Sequence, residues 1–412
     1  MKTPKKLPKI SDFRAKTAPE KAVALKVVPG SFPSVKKASR EDAECRKLRA
    51  MIIVPAVALS LLGLVMIYSA SSYSALLSYG DRFFYVKKQL LGLIPGLLMM
   101  YFGYKFPKER LKKLSGWLLA ASVILLAAVF IPGLGQTSYG ATRWINLGFI
   151  TFQPSELAKF ALALFLAKRY ASKPPRSAKD LIVPFAAVAA VLALIMAEPN
   201  MSVTLAIAAS VLLITVAAGL DNKFIVVLTI FALAAVPALI IAEPYRVRRL
   251  LAFLDPWENP RDEGYQLIQS YYAIGGGGFF GRGLFNSRQK YLFLPFAESD
   301  FIFSVVAEEL GVPGCLLVIA LFIVFIYAGI KTAYLQTDAF RRLAAFGMTA
   351  VIAVQALMNI AVVTGSVPPT GLPLPFMSAG GSSLMVFLTA AGVIAGFQKR
   401  EPSESHNRFG SS

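Results

Sequence analysis

The stretch LPFAESDFIFSVVAEELG, Leu294 to Gly311, decides what kind of chain this is. Four carboxylates, Glu298, Asp300, Glu308 and Glu309, stand at the mouth of one of its most apolar runs. From Leu310 to Ala328 nineteen consecutive residues carry no charge. As a helix rising ~1.5 Å per residue, that run crosses roughly 30 Å, the depth of bilayer hydrocarbon. Carboxylates beside hydrocarbon are expensive, so these four need either partners or a task.

The apolar pattern repeats along the chain. Of 412 residues 56% are hydrophobic and 16% charged, and mean hydropathy is +0.59, a composition that fits a polytopic membrane protein and no soluble domain of this length. Candidate spans lie near 51–71, 86–105, 114–132, 154–170, 181–197, 200–218, 223–242, 303–328, 342–365 and 376–397. The expected fold is an all-α integral membrane protein of about ten transmembrane helices. Residues 1–50, basic and without sustained periodicity, read as a disordered cytoplasmic tail. Residues 51–398 form the membrane domain, and 399–412 a short cytoplasmic tail. The apolar run starts too late and is too long for a secretory signal.

Net charge is +20, from 43 Lys and Arg against 23 Asp and Glu. Much of the excess lies in the N-terminal tail and in short loops such as KFPKERLKK (105–113) and KRYASKPPRSAKD (168–180). The positive-inside rule puts those loops and both termini in the cytoplasm. No basic face interleaved with aromatics suggests nucleic acid. The other side receives 133–153, 367–375 and a large extracytoplasmic loop, 244–298, between helices seven and eight. Cys45 and Cys315 are too far apart to suggest a disulfide or metal site. His406, the single histidine, sits in the C-terminal tail, which disfavours Ser–His catalysis and histidine metal ligation.

Four stretches on the outward side carry the chemistry. Near Asp300, partial shielding would raise a carboxylate's pKa and suit it to act as general base. Equally, these acids could pair with loop arginines and hold the loop down. GATRWINLGFITFQPSELAK (140–159) places Arg143 and Trp144 in a loop and starts a helix at Pro154. Glu156 and Lys159 there are i,i+3 neighbours, either a structural ion pair or part of a polar cavity. PPTGLPLPFMSAGGSS (368–383) is too rich in proline for a regular helix and must be buried in protein or line a cavity. AIGGGGFFGRGLFNSRQK (273–290) has a GxGxxG spacing without a strand–helix unit, so a flexible loop against lipid or sugar is expected, not a dinucleotide site.

Together these stretches resemble the SEDS family (shape, elongation, division and sporulation) from about Leu61 to Ala395. GLVMIYSAS (63–71), RRLLAFLDPWENPRDEGYQLIQS (248–270), NSRQKYLFLP (286–295) and SDFIFSVVAEELG (299–311) take part. NSRQK, PTGLPLP and the basic N-terminal tail resemble the division-associated branch more than the elongation branch. The resemblance implies a peptidoglycan glycosyltransferase that polymerises lipid II into glycan strands for the septal wall and releases undecaprenyl diphosphate. It would sit in the bacterial cytoplasmic membrane with its active site outside. The family's essential acid falls on Asp300, its Arg–Trp pair on Arg143 and Trp144, its acid and base on Glu156 and Lys159, and its acidic pair on Glu308 and Glu309. Arg246, Arg248, Ser299, Thr370, Ser378, Gly380 and Gly381 complete the expected substrate-binding set. No cofactor is required by this reading, with a divalent cation, Mg or Mn, as an open addition at the diphosphate. Expected partners are a class B penicillin-binding transpeptidase and other divisome membrane proteins. The sequence departs from the family at Asn200, Phe296, Glu298, Thr370 and Ala379, and no family role transfers to Phe296 or Glu298. A lipid II flippase, an elongation-type polymerase and a non-catalytic scaffold are the alternatives.

Overall fold

The computed structural model describes residues 35–138, 141–146, 148 and 151–398. By compactness the chain divides into Met1–Ala43 and Glu44–Ser412. Only a helical stretch from Val35 is described in the first unit, and the packing and the cleft below belong to the second. The helices are α1 (Val35–Tyr79), α2 (Phe84–Lys105), α3 (Lys108–Ala128), α4 (Pro154–Ser172), α5 (Ala178–Ala197), α6 (Met201–Ala217), α7 (Asn222–Ile241), α8 (Pro244–Leu254), α9 (Tyr265–Gly277), α10 (Ile302–Tyr334), α11 (Ala339–Val363) and α12 (Gly381–Gly396). Between α3 and α4 lie β1 (Gly135–Ser138), β2 (Ala141–Asn146) and β3 (Thr151–Phe152).

Each expected span falls on a helix. Six of the described helices are long and apolar enough to cross a membrane, namely α1 from Asp42, α3, α5, α7, α10 and α11. Helices α6 and α12 are apolar but shorter. Helix α2 carries Lys87, Lys88 and Lys105, and α4 carries Glu156, Lys159, Lys168 and Arg169.

Three expectations need correction. The segment 35–50, read as disordered tail, is helical; its charges obscured the periodicity. The tails 1–34 and 399–412 lie outside the described residues. The fold is not purely α-helical, because Gly135–Ser138, Ala141–Asn146 and Thr151–Phe152 pair as an antiparallel sheet in the order β1-β2-β3. Its centre, Ala141–Asn146, reads ATRWIN, and Thr, Trp and Ile suit a pleated half-buried surface. The 244–298 loop also contains two helices. PYRVRRLLAFL begins with Pro at the first helical position and spaces Val247, Leu250, Leu251 and Leu254 on one face, so α8 is amphipathic. An eleven-residue amphipathic helix escapes a search for apolar spans.

Helix α4 lies at the centre, buried on most faces and packed by α3, α6 and α11. Phe325, Phe340, Phe376 and Phe387 fill the core around it. Helices α2 and α12 meet through their backbones. A Cβ on Gly92 would lie 2.3 Å from Gly381 Cα, and one on Gly392 2.0 Å from Met100 O. Helix α10 breaks at Gly311 (φ 62°, ψ −156°), just before Pro313. A side chain there would meet the Gly281 backbone nitrogen at 2.3 Å, so the 279–283 segment presses into the break.

Gly392→Val forces α2 and α12 apart and should lower thermal stability sharply, by more than the ~1–3 kcal/mol of ordinary overpacking. Gly116→Ala, with nothing within 4 Å of the added carbon, should leave the melting temperature unchanged or slightly raised. Thermal unfolding of both detergent-purified variants checks this; equal melting temperatures would refute the close-packed seam.

Candidate active site

A cleft of about 1510 Å³ opens at one end of the helix bundle. Its walls are β2, the turn between α5 and α6, the ends of α7 and α8, the 296–301 segment and the 367–373 segment. Proline explains the last wall. Pro368, Pro369, Pro373 and Pro375 prevent a helix from reaching α12, and the chain crosses the bundle end in extended form.

Asp300 lies on this cleft, two residues before α10 begins at Ile302. Its Oδ1 accepts a hydrogen bond from Ser299 Oγ at 3.0 Å. Its Oδ2 faces Gly371, where an added Cβ would stand 3.3 Å away. Gly371 has φ +71°, so glycine there both permits the turn and leaves room beside the carboxylate. Burial pushes the Asp300 pKa up, opposed by the Ser299 hydrogen bond and by the charges of Arg249 and Arg143. Glu298, also on the cleft, is raised by burial and by the nearby Asp300.

The backbone around Asp300 is tied from behind. Asn359 on α11 donates both amide hydrogens, to Asp300 O and Leu372 O, each at 2.7 Å. Ser378 Oγ donates to Ser299 O at 2.6 Å and accepts from Leu374 N at 2.8 Å. Ala379 N donates to Glu298 O at 2.9 Å.

Cations face the carboxylates across the cleft. Arg143 donates from Nε to Glu198 O at 3.1 Å and from Nη2 to Pro199 O at 2.6 Å. Arg249 lies over the Tyr245 ring, 4.8 Å from its centre, and donates to Pro369 O at 3.4 Å. Arg246 donates to Leu239 O at 2.7 Å. Lys88 and Trp144 also line the space. Each arginine keeps further N–H donors beyond those used on carbonyls.

Nine of the expected site residues therefore meet on one cleft: Asp300, Arg143, Trp144, Glu156, Arg246, Ser299, Thr370, Gly380 and Gly381. The others stand elsewhere. Lys159 is behind the wall, paired with Glu156 at 2.8 Å, hydrogen-bonded to Gln355 Oε1 and 5.4 Å from the centre of the Phe387 ring. Ser378 supports the Asp300 backbone as described. Arg248 turns away to Glu263, 3.0 Å distant.

Glu308 and Glu309 are not on the cleft. Glu308 accepts from the amides of Arg288 at 2.8 Å and Gln289 at 3.3 Å and from Ser287 Oγ. Arg282 lies 3.6 Å from it. Glu309 accepts from the amides of Phe285 at 2.9 Å and Ser287 at 3.0 Å, from Ser69 Oγ, and from Lys290 Nζ at 3.4 Å. These acids clamp the NSRQK turn, whose successive amides make an anion nest. The expected flexible loop is therefore a tightly held one.

Sequence reasoning left Asn359 and Gln355 out of the site. Two amide side chains four residues apart in the apolar run VQALMNIA were the available signal, since buried polar groups in a span demand partners. Of the adjacent loop arginines Arg248 and Arg249, it is Arg249 that lines the wall. Among the described residues no three His, Cys, Asp or Glu side chains converge as a metal cage requires.

Residues 49–402 match the profile of the cell cycle protein family that groups FtsW, RodA and SpoVE. The chain is 38% identical to the probable peptidoglycan glycosyltransferase FtsW of Geobacter sp. strain M18, over 85% of this chain and 96% of that one. It is 36% identical to the stage V sporulation protein E of Bacillus subtilis strain 168, over 84% and 95%. A solved structure titled for the coordination of polymerization and crosslinking by a peptidoglycan synthase complex superimposes with a TM-score of 0.71 at 30% identity, covering 84% of this chain and 96% of that one. The rod shape determining protein RodA of Thermus thermophilus gives 0.63 at 28%, covering 85% and 96%.

Glu309→Ala leaves the Phe285 and Ser287 amides and the Lys290 ammonium without their acceptor. Breaking a buried pair in this way costs about 3–5 kcal/mol. Thermal unfolding should show a large loss of stability. A variant as stable as the parent would return Glu309 to the list of functional acids.

Proposed function

The chain belongs to the FtsW, RodA and SpoVE family of cell cycle proteins, and we propose that it is a peptidoglycan glycosyltransferase of the FtsW type, with Asp300 as its general base. The observation that carries the catalytic assignment is the partly buried Asp300 carboxylate on the cleft, with Oδ2 beside Gly371 and the charges of Arg249 and Arg143 acting on it. The identity of 36–38% over most of their length to relatives named glycosyltransferases favours polymerisation over transport.

Lipid II would supply both substrates. The cleft exceeds the roughly 300–1,000 Å³ of small-molecule pockets, which suits two lipid-linked saccharides. Asp300 takes the proton from the 4-hydroxyl of the acceptor sugar as that oxygen attacks the anomeric carbon of the donor strand. The bond to undecaprenyl diphosphate breaks on the opposite face, so the α-linked donor gives a β-1,4 linkage. Charge then grows on the departing diphosphate. Arg143, Arg246 and Arg249 supply fixed donors for it in a site shielded from bulk water, where such donors act most strongly. Lys159, already engaged by Glu156 and Gln355, holds the wall instead. The apolar residues Val236 and Ile240 of α7 on the same cleft give the polyprenyl tails a path toward lipid.

In this reading the chain has ten spans with both termini in the cytoplasm, as hydropathy and loop charge favour, its cleft faces outward, and its likeness to FtsW favours work at the division septum. A penicillin-binding transpeptidase is the partner in this reading, supported by the fold shared with a structure titled for polymerization and crosslinking by a peptidoglycan synthase complex.

Purified Asp300→Asn should polymerise labelled lipid II about 10²–10⁴-fold more slowly than the parent, with and without the transpeptidase. Because the base must be ionised and its pKa is raised, parental activity should fall as pH drops through that raised value, and Asp300→Asn should lose this acid limb. Glycan strands of parental length and rate from Asp300→Asn would remove Asp300 as base.

A further inference from the structure

Glu198 is an acid that the reaction above does not use. It caps the C-terminal end of α5, its own N–H bonded to the carbonyls of Leu194 and Ile195. Its side chain is 1% exposed, and neither carboxylate oxygen has a hydrogen-bond partner. The carboxyl also stands at the negative end of the α5 dipole, where an anion is disfavoured. The amide at the start of α6 offers no relief, because Val203 N–H is taken by Asn200 Oδ1 at 3.4 Å. Contrast Glu308 and Glu309, whose buried oxygens accept three or four hydrogen bonds each. A buried carboxylate without donors is costly in its charged form, so Glu198 keeps its proton, and its pKa rises to about 8.

The backbone of the same residue holds Arg143. Glu198 O and Pro199 O take the Nε and Nη2 hydrogens, which aims the rest of the guanidinium at the cleft. Among the described residues Arg143 is the charged group that acts on the Glu198 carboxyl. Helices α3, α4 and α6, which also pack on α5, add none. Arg143 in turn feels Glu198, Arg249, Tyr245 and Asp300.

We propose that Glu198 is a positioning residue for Arg143: as a neutral carboxyl it leaves the whole cationic charge facing the anionic substrate, and on losing its proton it draws that charge back into the protein. The proton leaves to solvent and no bond to substrate changes. The consequence is an alkaline limit on diphosphate binding, separate from the acid limb set by Asp300. It appears in KM before kcat, since the charge that is lost belongs to binding.

This inference rests on the glycosyltransferase reading for its activity arm only. Polymerisation by the parent, Glu198→Gln and Glu198→Ala is measured from pH 6 to 10 with labelled lipid II, and thermal unfolding is followed from pH 5 to 10 without substrate. Glu198→Gln mimics the neutral carboxyl. It should retain activity at pH 7 and lose the alkaline rise in KM, which for one ionisation is about tenfold per pH unit above the midpoint. For stability the sign is fixed by the raised pKa. Between the unfolded value, near 4.5, and about 8 the folded state binds the extra proton, so stability falls as pH rises through that window. Glu198→Gln should therefore melt at a higher temperature than the parent at pH 9 and equally at pH 5. Glu198→Ala keeps the backbone carbonyl that holds Arg143 and removes the ionisable group, so it too should lose the alkaline rise in KM. Superimposable alkaline limbs for parent and Glu198→Gln, or melting differences independent of pH, would overturn the proposal. If no variant polymerises lipid II at any pH, the function fails, and the melting arm still decides the state of Glu198.

Discussion

One side-chain amide, Asn359, joins the pieces on which the cleft depends. Irregular backbone at membrane depth survives only where its polar groups find partners inside the protein. Two such segments run side by side here, 294–301 and 366–380, and their carbonyls cannot rely on a helix ladder. Asn359 bridges them through Asp300 O and Leu372 O. The same solution recurs around it. Gln355 donates to Pro373 O at 2.9 Å, Ser202 donates to Thr370 O, and Gln89 donates to Ser378 O at 3.1 Å while accepting from Gly380 N at 2.9 Å. Prolines reduce the number of orphan N–H groups in these segments, but their carbonyls remain. Buried amides on α2 and α11 take the place of water, held by the surrounding core.

The acids of the opening stretch divide by how their oxygens are satisfied. Glu308 and Glu309 sit in a nest of amides and cations, so their charge is a structural fastener. Asp300 has one hydroxyl donor, on Oδ1, and its Oδ2 lies beside Gly371, where there is no side chain. Raised pKa values at Asp300, Glu298 and Glu198 share one cause, burial without enough donors. Such groups cluster where proton transfer or charge tuning is needed. Sequence position could not make this division, since Glu308 and Asp300 lie only about two helical turns apart.

Apolar runs made the helical segments legible, because bilayer thickness imposes a length that composition reveals directly. Asp300, Arg143 and the proline-rich wall were legible as well, each out of place in its surroundings. The sheet around Arg143 was not. Its strands are two to six residues long, and the pairing of Ile145 with Phe152 is set across a loop that carries no alternation of its own. Helix α8 was hidden because its arginines break the apolar run while its face remains apolar. The Glu308 and Glu309 clamp depends on a turn twenty residues away accepting no other anion, and only the folded backbone brings those amides together.

The break in α10 explains why the catalytic acid can be both held and accessible. A continuous helix from Ile302 would carry the strain of the loop contacts along its whole length. Gly311 interrupts it, and Gly281 fills the gap with its backbone against Glu309 O. The short first segment of α10 is then anchored at its lower end by the Glu308 and Glu309 nest and at its upper end by Asn359. Between those two anchors Asp300 has little freedom to move, while its free oxygen faces a wall that has no side chain at Gly371. Rigidity behind the acid and emptiness in front of it come from different residues, so each can be altered without the other.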